Sequence, residues 1–239
     1  MARISLIIPA LNEERSIGET LDSLSRVHGI EETIVVDGGS SDLTVSIAES
    51  HGAHVIQTGR GRGIQLHAGA AASSGDVLWF LYADTSAPLD AAEHIAAALT
   101  APTVAGGNFA LVFNGGTRPA RVLTRAYPHF RRLGLCYGDS GIFVRRNVYE
   151  AIGGFQPYPI FEDLDLIKRL KKRGRFVHLD CALTTSSRRF EGRSFTWTFA
   201  RWTGMQVLYW AGVHPNRLGR IYAPIRSAAS TTAEKNVRA

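Results

Sequence analysis

The sequence predicts an α/β protein built on a parallel, three-layer sheet. Short apolar runs alternate with segments of helical periodicity over the first hundred residues. The apolar runs are continuous rather than alternating, as in strands buried on both faces. Strand–helix–strand repetition of this kind places helices on both sides of a sheet, with right-handed crossovers.

The elements follow in order. Ile4–Ile8 reads as the first strand, ended by Pro9, with Asn12 capping a helix opened by Glu13 and Glu14. Ile17, Leu21 and Leu24 recur at helical spacing. Thr33–Val36 is a second strand, and Gly38-Gly39-Ser40-Ser41-Asp42 is a turn and cap leading into the helical Val45–Ala48. Val55–Ile56 is a third strand, Gly63–Ala72 a helix, Val77–Tyr82 the most apolar strand, and Ala91–Leu99 a helix. In the second half, Gly106–Phe113 and Gly138–Val144 read as strands around a basic helix. Leu164–Leu170 is helical, Phe176–Leu179 is a strand, and Phe195–Val213 is an aromatic-rich helical segment with one charge, Arg201.

Composition sets the class. The 239 residues suffice for one large domain, and 45% hydrophobic with 20% charged residues is an ordinary globular balance. Two cysteines without CxxC spacing argue against a disulfide scaffold or a zinc site. The N-terminus lacks the long apolar region of a signal peptide, and no run has membrane-spanning length, so the expected location is cytoplasmic. A formal charge of +6, spread without a basic stripe, fits an anionic small substrate or an anionic membrane surface rather than nucleic acid.

In open α/β sheets, ligands bind outside the carboxyl ends of the strands. The polar residues there are Asn12 and Glu13, Asp37, and Asp84, expected along one edge. Asp37 can accept hydrogen bonds from a base or a ribose, with glycines allowing close approach; an Asp in that place is equally a turn residue. Arg60-Gly61-Arg62-Gly63 before a helix suits phosphate oxygens, or is a solvated loop. Asp84 is placed to hold Mg²⁺ or Mn²⁺ against a diphosphate, or caps the next turn. Phe161-Glu162-Asp163-Leu164-Asp165 puts three carboxylates at a helix start, where they complement the dipole or supply a general base. Phe195–Val213 suits packing on the protein's own core, a homodimer partner, or a membrane surface.

Taken together, the chain resembles family 2 glycosyltransferases of the GT-A fold, from about residue 3 to 215. The segments that carry this are Ile7-Ile8-Pro9-Ala10-Leu11-Asn12-Glu13-Glu14, Val35-Val36-Asp37-Gly38-Gly39-Ser40-Ser41-Asp42, Gly75-Asp76 through Asp84, Gly153-Gly154-Phe155, and Glu162-Asp163-Leu164-Asp165. Within the family it is similar to a short, soluble subgroup associated with radical-SAM proteins or arsenosugar biosynthesis. That likeness rests on Arg60-Gly61-Arg62 with Ala68-Gly69-Ala70, Leu81-Tyr82-Ala83-Asp84-Thr85, Tyr137-Gly138-Asp139-Ser140-Gly141 and Ser187-Arg188-Arg189-Phe190.

The resemblance implies a mostly parallel, Rossmann-like central sheet flanked by helices. It implies a single domain over residues 1–226: a nucleotide-sugar half (1–105), an acceptor half (106–190), an aromatic helix region (191–226), and then a tail (227–239). Pro9, Ala10, Leu11, Asn12, Glu13, Asp37, Gly38, Arg60, Arg62, Tyr82, Ala83 and Asp84 would line the nucleotide-sugar site. Asp84 corresponds to the last Asp of the family's Asp-x-Asp metal motif, whose first Asp is Tyr82 here, and the cofactor implied is Mn²⁺ or Mg²⁺. Asp163 corresponds to the catalytic base, with Glu162 beside it. Gly138, Asp139, Arg188 and Arg189 are placed near the acceptor, and the Gln-x-x-Arg-Trp of processive synthases is missing. The function implied is inverting transfer of a sugar from a nucleoside diphosphate, UDP by analogy, to a small-molecule or lipid-linked acceptor. The rival readings are a nucleotidyltransferase, a glycosidase built on two carboxylates, and a nucleotide-sugar-binding protein without catalysis.

Overall fold

The computed structural model describes residues 2–114, 118–132, 137–186 and 195–221. Eight strands form one sheet: β1 (Ile4–Ala10), β2 (Ile30–Asp37), β3 (His54–Gln57), β4 (Val77–Phe80), β5 (Thr85–Ser86), β6 (Val104–Asn114), β7 (Ile142–Arg145) and β8 (Arg175–Ser186). Their order across the sheet is β3-β2-β1-β4-β7-β6-β8-β5. The helices are α1 (Ile17–Leu24), α2 (Thr44–Ser50), α3 (Arg62–Ala72), α4 (Ala91–Ala98), α5 (Arg118–Arg132), α6 (Arg146–Ala151), α7 (Glu162–Leu170) and α8 (Phe195–Trp210).

The first half is the predicted parallel unit: β1 pairs in parallel with β2 and β4, and β2 with β3. The parallel register ends at β7, which runs antiparallel to both β4 and β6. The sheet is therefore mixed, with β6 and β8 parallel again and β5 antiparallel to β8.

Both faces of the sheet are covered. Ile4, Leu6 and Ile8 face one apolar cluster with Trp79, Leu81, Phe109 and Phe143. Ile7, Ile34 and Val36 face the other, with Leu66, Phe80, Phe155 and Leu166. Helix α1 turns Ile17, Thr20, Leu21 and Leu24 inward, the one-face spacing expected of an amphipathic helix. Helix α3 lies unusually close to the sheet, since a Cβ at Gly69 would stand 2.4 Å from Cγ2 of Ile7 and 2.9 Å from that of Val36. Only glycine permits that approach, and it brings the N-terminus of α3 to the carboxyl edge of the strands.

Several local expectations are corrected. Asn12 does not cap a helix: its backbone is left-handed (φ 56°), and α1 starts only at Ile17. The Val77–Tyr82 strand ends at Phe80, so Tyr82 and Asp84 sit in the following turn. Gly138–Ser140 is a 3₁₀ turn before β7, not strand. β8 runs on to Ser186, well past Leu179. Neither β5 nor α6 was expected; each is too short to leave a periodic signal. Arg188, Arg189, Cys136 and the tail at 227–239 lie outside the described residues. Among the described residues, no helix is long and apolar enough to cross a membrane.

Candidate active site

The carboxyl ends of β1, β2 and β4 lie side by side, so Glu13, Asp37 and Asp84 leave one edge of the sheet as expected. The loops after β1 and β2 are laced together. The Asn12 Oδ1 accepts from Ser41 N–H at 2.9 Å, and Ser40 Oγ accepts from Asn12 N–H at 2.9 Å. Thr44 Oγ1 accepts from Glu13 N–H at 2.7 Å, and Asp42 accepts from Glu14 N–H at 3.2 Å. The Asp37 carboxylate is buried and accepts from Gly39 N–H (3.0 Å), Ser40 N–H (3.1 Å) and Ser40 Oγ (2.5 Å). It thereby shapes its own turn. Asp42, accepting from both the Thr44 hydroxyl and N–H, is held below the usual carboxylate range despite the opposing effect of burial.

A side chain not singled out from the sequence completes this rim. Gln65, on α3 and buried, donates both Nε2 protons to backbone carbonyls, Ala10 and Val36, each at 2.8 Å. These carbonyls stand at or next to the ends of the adjacent strands β1 and β2, and Gln65 ties the two strand ends together. A buried polar residue on an otherwise apolar helical face was the available signal.

A second group of side chains surrounds a cavity of about 390 Å³. Arg62, Tyr82, Asp84, Gly138, Asp139 and Asp163 all line it. Arg60 is exposed and does not. Two carboxylates expected from distant stretches, Asp84 and Asp163, thus share one cavity. Glu162 is buried and takes the Arg62 guanidinium in a short ion pair through Nε, and the same guanidinium lies 5.1 Å from the centroid of the Tyr82 ring.

Asp163 is buried beside it. Its Oδ2 accepts from Gly138 N–H at 2.6 Å and its Oδ1 from Leu164 N–H at 2.7 Å. Burial and the neighbouring Glu162 charge raise its pKa from 3.8 to about 6, against the pull of Arg62 and the two backbone N–H groups. Burial likewise pushes the Tyr82 phenol well above its ordinary value, so its hydroxyl stays protonated. A Cβ on Gly138 would stand 2.3 Å from the Tyr82 hydroxyl and 3.3 Å from Asp163 Oδ2, so this glycine is required for the three groups to meet.

The backbone that aims the carboxylates is itself strained. Phe161, directly before Glu162, is left-handed (φ 61°) and buried. Asn12 and Phe161 are the two non-glycine residues with positive φ among those described, and both stand at this site.

The arrangement tests poorly as a closed metal cage. Among the described residues, no three His, Cys, Asp or Glu side chains gather at one point. Asp84 nevertheless lines the cavity and, among the described residues, has one weak side-chain contact, from Thr185 Oγ1 at 3.5 Å. A single carboxylate fits a hard cation that takes its remaining ligands from a diphosphate. Tyr82, held neutral, contributes no charge to that set.

The model of glycosyl transferase family 2 matches residues 5–152, more than half the chain. The glucosyl-3-phosphoglycerate synthase of Mycobacterium tuberculosis is 38% identical over 96 residues, covering 36% of this chain and 30% of the relative. The chain thus aligns with under a third of that relative's length. A crystal structure of the M. tuberculosis synthase with Mn²⁺, UDP-glucose and phosphoglyceric acid superposes with a TM-score of 0.57 at 25% identity, over 76% of this chain and 70% of that one. A Pyrobaculum calidifontis mannosyltransferase with GDP-mannose and Mn²⁺ shares the fold, with a TM-score of 0.61 at 21% identity over 77% of this chain and 56% of its own. The laced loops at the ends of β1 and β2, Asp84 after β4 and this match leave one conclusion: the chain belongs to glycosyl transferase family 2.

Proposed function

We propose that the protein transfers a sugar from a nucleoside diphosphate, UDP, to the hydroxyl of an acceptor with inversion at the anomeric carbon. The observation that carries the reading is the cavity shared by Asp84 and Asp163, with Asp84 following β4, the strand next to β1 in the sheet. The nucleoside lies against Pro9, Ala10, Leu11, Asn12 and Glu13, with Asp37 and Gly38 holding the neighbouring turn. Arg62 supplies positive charge towards the diphosphate.

The chemistry divides between the two carboxylates. Asp163 takes the proton from the acceptor hydroxyl as its oxygen bonds to the anomeric carbon. The bond from that carbon to the diphosphate oxygen breaks, and the electron pair leaves on the diphosphate. A divalent cation, Mn²⁺ or Mg²⁺, held by Asp84 together with the diphosphate, stabilises the leaving charge when bound. Glu162 fixes Arg62 and raises the proton affinity of Asp163 through its own charge. Gly138 N–H orients the Asp163 carboxylate, leaving its remaining lone pairs for the acceptor. Holding both substrates in line supplies much of the acceleration.

Support for the donor and the metal comes from the M. tuberculosis synthase structure named above, which contains UDP-glucose and Mn²⁺. The test is a thermal-shift series with UDP, UDP-glucose and GDP-mannose, with and without Mn²⁺. A ligand at 100 times its Kd stabilises the native state by about 2.7 kcal/mol. UDP with Mn²⁺ should raise the Tm clearly, Mn²⁺ alone very little, and Asp84→Asn should remove the advantage of adding Mn²⁺. UDP binding that ignores Mn²⁺, with no UDP released from UDP-glucose, favours a binding protein without catalysis. No shift with any nucleotide would end the proposal.

A further inference from the structure

We propose that the acceptor is a hydroxyl compound carried on an extended apolar body, aromatic or aliphatic, bearing one hydrogen-bond-accepting oxygen that Gln206 recognises. This rests on the transfer reaction proposed above and names the substrate class of the same cavity.

The cavity's lining is of two kinds. Arg62, Asp84, Asp139 and Asp163 are its charged groups. Much of the rest of the wall is apolar or aromatic: Phe113 on β6, Leu123 and Tyr127 on α5, Ile160, and Trp202 and Trp210 on α8. At about 390 Å³ the space is within the ~300–1,000 Å³ range of small-molecule sites. An apolar body placed there removes these walls from water and gains about 25 cal/mol for each Å² buried.

The polar atoms point the same way. Arg62 is the only cation lining the cavity among the described residues, and its Nε is committed to Glu162. Among the described lining residues a phosphorylated acceptor finds no second cation. Of the uncharged polar groups there, Gln206 is distinctive. It is 5% exposed, its Oε1 accepts from the Tyr137 hydroxyl at 3.3 Å, and its Nε2 has no partner among the described residues. A buried donor left unpaired costs about 1–3 kcal/mol, so an oxygen on the ligand body meets a standing demand. Trp210 lines the cavity and is 61% exposed, so the apolar wall continues to the surface and lets a long body extend outward.

The experiment measures binding by calorimetry, separately from turnover. The probes are 4-phenylphenol and farnesol as aromatic and aliphatic bodies, 4-hydroxybenzophenone as an aromatic body with one carbonyl, and 3-phosphoglycerate as the anionic competitor. One or both hydrocarbon probes should bind and take sugar from UDP-glucose in the presence of Mn²⁺, and which one does so identifies the body. Trp202→Ala and Leu123→Glu should each weaken that binding about tenfold or more, as truncation at a well-packed anchor does. The Tm of each variant, measured alongside, separates loss of the pocket from loss of the fold, since Trp202 also packs against Phe161. Wild-type protein should prefer 4-hydroxybenzophenone to 4-phenylphenol by about fivefold or more, and Gln206→Leu should erase that preference. Binding of 3-phosphoglycerate without any hydrocarbon probe, or binding indifferent to Trp202 and Leu123, overturns the inference. Probe binding at the cavity with no response to any nucleotide leaves this pocket standing and refutes the transfer reaction instead.

Discussion

Asp163→Asn tests the assignment of the base through two independent readouts. The raised pKa, from 3.8 to about 6, is a rise of about two pH units. At about 1.36 kcal/mol per unit this is roughly 3 kcal/mol of differential stability. Its sign follows from proton binding. The folded state holds the Asp163 proton more tightly than the unfolded chain, so below about pH 4 the fold has the full benefit. As pH rises towards and past 6, that benefit is lost and wild-type stability should fall by up to roughly 3 kcal/mol. The amide variant carries no such titration and should be flatter over the same window. It also offers one oxygen where the carboxylate offers two, so Gly138 N–H or Leu164 N–H loses an acceptor, at about 1–3 kcal/mol. The variant should therefore be clearly less stable than wild type near pH 4.5 and close to it at pH 8. Urea unfolding at several pH values measures this. In activity, wild-type kcat/KM, followed by UDP release, should rise through an apparent pKa near 6, and Asp163→Asn should lower it about 10²–10⁴-fold. A variant within tenfold of wild type, or a wild-type profile without an acid limb near 6, refutes the assignment.

Two further perturbations probe the support around this carboxylate. Arg62→Met leaves Glu162 buried without its cation and should destabilise the protein by about 3 kcal/mol, with Glu162→Gln in the same chain restoring part of the loss; thermal or urea unfolding reads both. Gly138→Ala places a methyl 2.3 Å from the Tyr82 hydroxyl and should depress activity about tenfold or more through misplacement of Asp163, whereas Gly138→Ala with Tyr82→Phe should recover activity in the same UDP-release assay.

Much of the first half of the fold was legible in the sequence because it depends on local patterns. Continuous apolar runs such as Ile4–Ile8 and Thr33–Val36 announce buried parallel strands, and the polar residues after them mark the rim. The second half was less legible because its order is set by distant partners. β7 is four residues long and turns antiparallel between β4 and β6, a choice that no residue within it dictates. The strand signal of Gly138–Val144 was partly misleading, since its first three residues form the 3₁₀ turn that presents an N–H to Asp163. Asp37 illustrates the limit for single residues: its turn was predictable, yet its burial and the engagement of both oxygens by Gly39 and Ser40 depend on the folded structure. Gln65 and Gln206 escaped notice because a glutamine on a helix usually faces solvent.

The left-handed Phe161 ties two tasks to one residue. Its ring packs against Trp202 and Tyr209 of α8, while its backbone sets the direction in which Glu162 and Asp163 leave the chain. Whatever alters the fit of α8 therefore reaches a residue only two positions before Asp163. Redesigning this wall for a different acceptor will change the rate of chemistry along with selectivity, and variants chosen for one should be screened for the other.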